Sequence, residues 1–262
     1  MGHFMICSRN TIDIVIPVFN GAQTIAKALE GVFQQDETCL GNIIIVNDGS
    51  TDETLEVLSH IKHPKLRVLS TKNQGVAAAR NFGIEHATAK WIAFLDADDT
   101  WSSDKLKIQL DSANQHQASF VCCSVGSNAF NADAELSQYS LFRGNFIATS
   151  SVLMTRDLAQ DLMPLFNTQM KFAEDYLAWL KVLCKAPGYY ISIPLVQYHV
   201  STQPHYHPID VLRNLWHLEL SATRYLFGSS LGFIKGTSSW LAFSFGVVLS
   251  GASIIKRYLK SL

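Results

Sequence analysis

Short runs of β-branched and aliphatic residues alternate with helical periodicity through the first 117 residues. The runs at 12–18, 42–46, 66–69 and 91–95 are short and rich in aliphatic residues, so they read as strands, and the run at 91–95 is too apolar to face water. The segments between and after them, 22–34, 51–60, 74–87 and 103–116, space their apolar residues at helical intervals. This alternation predicts an α/β fold with a mostly parallel central sheet, flanking helices and right-handed crossovers. Beyond 117 the pattern loosens. Strands are expected at 120–125, 150–154, 189–193 and 195–198. Helices are expected over 173–185 and 209–227, with a loop at 201–208. There is no internal repeat and no low-complexity linker.

Parallel sheets gather ligands beyond the carboxyl ends of their strands. Three such ends carry unusual polar sequences: Pro17-Val18-Phe19-Asn20, Asn47-Asp48-Gly49-Ser50 and Asp96-Ala97-Asp98-Asp99. The last places three carboxylates within four positions at the tip of a buried strand. One of them can cap the helix near Ser103, but a single cap leaves the others unexplained. Like charges this close raise one another's pKa or require a counter-charge. A divalent cation held by oxygen ligands supplies it, and Mg²⁺ so bound keeps positions open for phosphate oxygens.

Four groups of residues add candidate chemistry. Asp48 can accept from a nucleotide base or ribose, while Ser50 and Glu53 have the spacing of a capping box. Ala77, Ala78, Ala79 and Gly83 let a helix approach the sheet or a ligand closely. Arg80, alone among these small residues, reads either as a base or pyrophosphate contact or as half of a salt bridge to Asp48 or Asp96. Glu174 and Asp175 open an expected helix, where the dipole favours acids, and either could act as a general base. His199, His205 and His207 are candidates for a metal or phosphate contact.

Composition adds a membrane question. Hydrophobic residues make up 48% and charged residues 16% of the chain, with a net charge of −1, which suggests no nucleic-acid partner. The charge is unevenly spread: residues 201–262 hold six Lys and Arg against two acids, leaving the remainder at about −5. The stretch 236–255 is long enough to span a bilayer but has a serine-bearing face, and Lys256, Arg257 and Lys260 follow it. With an intracellular N-terminus, a span would put these cations outside. A helix lying in the plane of an anionic membrane fits better, and one docked on the protein core is the alternative. Five cysteines with no C-x-x-C point to a reducing compartment and no structural zinc. The apolar run at 12–18, broken by Asp13 and Pro17, does not resemble a signal peptide.

Taken in order, these motifs resemble glycosyltransferase family 2, whose members have the GT-A fold, a nucleotide-sugar-binding α/β sandwich. The resemblance runs from about Thr11 to Tyr198. It includes Ile45–Asp52, the helix carrying Asn73, Gly75, Ala79, Arg80, Asn81 and Gly83, and the D-x-D segment Phe94–Asp99 continued by Trp101, Lys105, Leu106 and Gln109. Thr149–Leu153 and Glu174-Asp175 complete it. It implies a catalytic domain over 1–205, with a donor half at about 11–117 and an acceptor half at about 118–205. Residues 206–262 would form a helical extension. It implies inverting transfer from a nucleotide-sugar, usually a UDP-sugar, with Mg²⁺ or Mn²⁺. Pro17, Phe19, Asn20, Asp48, Arg80, Asp96, Ala97 and Asp98 would surround the donor. Asp98 and Asp99 would be metal ligands and Asp175 the base.

The acceptor implied is a glycan or lipid-linked glycan, handled peripherally at the cytoplasmic face of a bacterial inner membrane. The chain departs from the family pattern at Asn47, where an aspartate is usual, and at His199 and Ser201, where Arg and His are common. A nucleotidyltransferase, a polyprenyl-phosphate sugar transferase and a non-catalytic binding module are the rival readings.

Overall fold

The computed structural model describes residues 11–126, 130–143 and 145–199. The helices expected over 209–227 and 236–255, His205 and His207 lie outside the described residues. In chain order the elements are β1 (Ile12–Val18), α1 (Ile25–Phe33), β2 (Leu40–Asn47), α2 (Thr54–His60), β3 (Leu66–Ser70), α3 (Val76–His86) and β4 (Trp91–Phe94). Then come β5 (Thr100–Trp101), α4 (Lys105–Gln115), β6 (Phe120–Ser124), β7 (Ala134–Leu136), β8 (Val152–Thr155), α5 (Arg156–Asp161), α6 (Glu174–Lys185), β9 (Gly188–Pro194) and β10 (Val196–Gln197). Eight strands form one sheet in the order β3-β2-β1-β4-β8-β6-β9-β7, and β5 pairs with β10 separately.

The expected α/β sandwich is present. Strands β1 to β4 run parallel. β1 and β4 are buried along their whole length, as central parallel strands must be. Alternate residues serve two cores: Ile14, Ile16, Ile43 and Ile45 join α1 and α4 on one face. Val15, Ile44, Val46 and Phe94 join α3 and α6 on the other. Gly83 lets α3 seat on β1, since a Cβ there would lie 2.3 Å from Val15 Cγ1.

The buried Asp13 is fully used. Oδ1 accepts from Asn42 N at 2.6 Å, and Oδ2 accepts from Thr88 N at 2.6 Å and Ala89 N at 2.9 Å. Its carboxylate thus ties β1 to β2 and to the turn before β4, which offsets the burial of a charge.

The sheet is mostly parallel, as expected, and its antiparallel pairings all involve strands beyond residue 117, where the alternation loosens. β8 runs antiparallel to both β4 and β6, and β7 antiparallel to β9. The reversal brings the short 3₁₀ turn Thr149–Ser151, which leads into β8, against the carboxyl end of β4. β5, β7 and α5 are not predicted because two, three and six residues are too few to display a period.

Candidate active site

Strand order reverses between β1 and β4: the chain steps outward through β2 and β3, then returns to β1's other side. Ligands of open α/β sheets bind in the crevice at such a point. A cleft of about 770 Å³ opens there. Seven of the eight expected donor residues line it: Pro17, Phe19, Asn20, Arg80, Asp96, Ala97 and Asp98. Phe19, Val76 and Tyr198 present exposed apolar surface at its rim, and Asp96 and Asp98 bring acid to it.

The loops around the cleft are fixed by the polar residues that follow β1 and β2. Asn20 has a left-handed backbone, φ 52°, a conformation that Asn tolerates better than most residues. Its N–H donates to Ser50 Oγ at 2.9 Å, and its Oδ1 accepts from Thr51 N at 2.8 Å. Gly21 N donates to Thr54 Oγ1 at 2.9 Å and Ala22 N to Asp52 Oδ2 at 3.1 Å.

Ser50 and Glu53 therefore do not form the expected capping box. Ser50 is turned to the neighbouring loop, Glu53 is itself the N-cap residue without a side-chain cap bond, and Asp52 accepts from Thr54 N at 3.1 Å. Asp48 also differs from expectation. It is buried outside the cleft lining, accepting from Thr71 Oγ1 at 3.1 Å, Gln74 N at 3.0 Å and Gly75 N at 2.7 Å. Its oxygens hold the approach to α3, so it shapes the cleft from behind.

The three acids after β4 have separate surroundings. Asp99 is almost fully buried, with one oxygen accepting from Ser150 Oγ and the other from His199 N at 2.9 Å. Burial pushes its carboxyl up to about 7 against the pull of these two bonds. That geometry suits an anchor for the strand tip rather than the metal ligand expected from sequence. Ser150 Oγ also accepts from Asp96 N at 3.0 Å, and Ser150 O accepts from Trp101 Nε1 at 2.9 Å, so β4 and β8 are locked at the cleft.

Asp98 faces the cleft half-buried. Burial, and then the charge of Asp96, raise its pKa. A raised, unneutralised carboxylate in a cleft is suited to a cation whose other ligands come from a diphosphate. Among the described residues no group of three or more His, Cys, Asp or Glu is arranged to hold a metal by itself.

Arg80 joins the two halves of the site. Nη2 reaches Asp96 Oδ1 at 2.6 Å and Nη1 reaches Glu174 Oε1 at 2.8 Å, with the guanidinium 5.2 Å from the Phe166 ring centre. Burial opposes its charge, but Asp96 and then Glu174 more than offset this and hold it protonated. Of the salt-bridge partners expected for Arg80, the structure selects Asp96 and not Asp48. It adds Glu174, 94 residues away in sequence.

Asp175 follows in the first turn of α6. Burial and the adjacent Glu174 push its carboxyl up to about 7, against Arg80 and against donors from Tyr176 N and Asn145 Nδ2. A carboxyl poised there suits proton transfer near neutral pH.

A family model, glycosyl transferase family 2, matches residues 13–157, more than half of the chain. The chain belongs to this family. An uncharacterized glycosyltransferase of Rickettsia felis is 34% identical over 185 residues, covering 66% of this chain and 30% of that protein. In Escherichia coli, the UDP-Glc:alpha-D-GlcNAc-diphosphoundecaprenol beta-1,3-glucosyltransferase WfaP is 29% identical over 66% of this chain and 70% of its own length. The crystal structure of S. aureus TarS 1–349 in complex with UDP is 20% identical and covers 89% of this chain and 70% of that one. Its TM-score of 0.75 shows the shared GT-A fold.

The cleft is also lined by residues that the sequence did not single out. Lys27 on α1 and Val76 at the start of α3 line the cleft. A cation early in the helix after β1 sits at the ligand edge, and that placement was the available signal for Lys27. His199 lines the cleft through its position beside Asp99.

Proposed function

We propose that this chain is an inverting, metal-dependent transferase that moves a hexose from a UDP-sugar to a hydroxyl of a lipid-linked glycan. The observation that carries this reading is one cleft with a cleft-facing, unneutralised carboxylate, Asp98, on its donor side. Asp175, whose carboxyl is raised toward neutral pH, is not among the residues lining that cleft, but the helix that carries it is joined to the cleft through the Arg80–Glu174 ion pair. WfaP, whose name specifies UDP-glucose and a diphosphoundecaprenol-linked GlcNAc, supports the donor and acceptor classes. A structural neighbour, the mannosyltransferase PcManGT of Pyrobaculum calidifontis, has been solved in complex with GDP-Man and Mn²⁺, which supports a divalent metal.

In this reading Phe19, Pro17 and Tyr198 offer apolar surface to the base at the cleft rim. Lys27 offers charge to the phosphates. Mg²⁺ or Mn²⁺, when bound, supplies positive charge against the departing diphosphate, and Asp98 is the side chain that would hold it. Asp175 accepts the proton of the acceptor hydroxyl as that oxygen bonds to the anomeric carbon from the face opposite the diphosphate. The bond to the diphosphate breaks with its electron pair, releasing UDP.

The catalytic unit is assigned to 1–205, and 206–262 to an extension resting on the cytoplasmic face of a bacterial inner membrane. No described helix is long and apolar enough to cross a membrane.

A transfer assay tests the reading. The full chain is expected to release UDP from UDP-glucose, UDP-galactose or UDP-GlcNAc when given a synthetic GlcNAc-diphosphate lipid and Mn²⁺, and to form a β-linked product. Release of pyrophosphate from a nucleoside triphosphate would favour a nucleotidyltransferase. Transfer to a bare lipid phosphate would favour a polyprenyl-phosphate sugar transferase.

A further inference from the structure

The loop that precedes β8 contributes a side chain to the acid of α6. Asn145 Nδ2 donates to Asp175 Oδ2 at 3.1 Å, while Asn145 Oδ1 accepts from Ile147 N at 3.3 Å. The second bond fixes which end of the amide faces the carboxylate. The loop is itself held to α6 on both sides of Asn145: Tyr176 Oη donates to Leu141 O at 2.8 Å, and Trp179 Nε1 donates to Ile147 O at 3.1 Å. Ile147 is buried in the core. The other Asp175 oxygen accepts from Tyr176 N at 2.7 Å. Each oxygen of the carboxylate thus has one fixed donor, one from its own helix and one from a loop docked on it.

We infer that Asn145 is the positioning residue for Asp175. Held by its docked loop, it aims the carboxylate and keeps it in the ionised, proton-accepting form. This rests on the reading of Asp175 as the base. The groups that act on Asp175 are Glu174 beside it, Arg80 from α3, Asn145 from the loop and Tyr198 from the chain after β10. Burial and Glu174 favour the neutral acid; Arg80, Tyr176 N and Asn145 oppose them. Of those three opponents, only Asn145 is exposed and lies outside both the buried ion-pair cluster and the backbone. It can therefore be changed with little disturbance to the fold. Asparagine suits this place because it offers a donor to the carboxylate and an acceptor to the backbone from one planar group. Aspartate has the same shape but no donor.

The test is the titration of the Asp175 carboxyl in the full chain, followed by ¹³C NMR with carboxyl-labelled aspartate and assigned by loss of the signal in Asp175→Asn. Removing a hydrogen bond to the charged form raises a carboxyl pKa, so Asn145→Ala is expected to move the midpoint up by roughly half a unit to one unit. Asn145→Asp, which adds a like charge, is expected to move it further.

The acid limb of the turnover profile shifts equally. At about pH 6.5 Asn145→Ala loses roughly three- to ten-fold relative to the wild type, and at about pH 8.5 much less. Unchanged midpoints in both variants, with wild-type thermal unfolding, would overturn the role given to Asn145 and leave Asp175 as base untouched. Midpoints that shift as expected, alongside full transfer by Asp175→Asn, would instead overturn the base assignment and with it the catalytic meaning of Asn145.

Discussion

Asp98→Ala is expected to lower metal-stimulated turnover by about 10³-fold or more, since charge stabilisation by a bound cation is worth several kcal/mol. The expectation follows from how the structure divides the acidic cluster. Asp99 has both oxygens bound within the protein, and Asp96 is paired with Arg80. Asp98 alone of the three offers an unneutralised carboxylate to the cleft, so no neighbour is placed to substitute for it. The variant should fold, because the residue is half-exposed and its removal relieves a repulsion with Asp96. Steady-state UDP release across a Mn²⁺ titration measures the effect. Turnover by Asp98→Ala that still saturates with Mn²⁺ at wild-type concentrations would place the cation elsewhere.

Asp175→Asn is the second large effect, and it separates chemistry from stability. Loss of a positioned general base typically lowers turnover by about 10²–10⁴-fold. Donor affinity should change little, because Asp175 is not among the residues that line the donor cleft. Wild-type activity should fall as pH drops through about 7, where Asp175 takes up its proton. The variant should lack that limb.

Stability should move the other way. The folded carboxyl titrates above its ordinary value, so the folded protein loses stability as pH rises from about 4 to about 7 and charge forms where water has reduced access and Glu174 is adjacent. Asparagine carries no such charge. The variant is therefore expected to gain on the order of 1–2 kcal/mol at about pH 8 and nothing at about pH 4. Urea unfolding at the two pH values checks it. A variant destabilised equally at both would show that the carboxylate is structural.

The central parallel strands and their helices were legible because burial on both faces leaves an unmistakable apolar run, as in Ile12–Val18. The cleft was legible for a related reason. Strand tips at the reversal of strand order must be polar to receive a ligand, and Asn20, Asp96 and Asp98 stand out against their apolar strands.

What sequence could not show was which oxygen each acid spends on the protein itself. Asp48 and Asp99 carry the same side chain as Asp98. Only the fold reveals that Thr71, Gln74 and Gly75 donate to the first, and that Ser150 and His199 donate to the second. The Arg80–Glu174 pair was hidden by 94 residues of separation. Asn145 was hidden because a lone amide in a loop has no period and no motif. The direction of β8 was not legible, because an apolar run of four residues says nothing about which way it runs.

The most direct measurement is a crystal structure of the full chain with UDP and Mn²⁺. The account predicts UDP in the cleft between the ends of β1 and β4, its base against Pro17 and Phe19, and Mn²⁺ joining Asp98 to the diphosphate. UDP bound away from that cleft, or Mn²⁺ bound without Asp98, would contradict it.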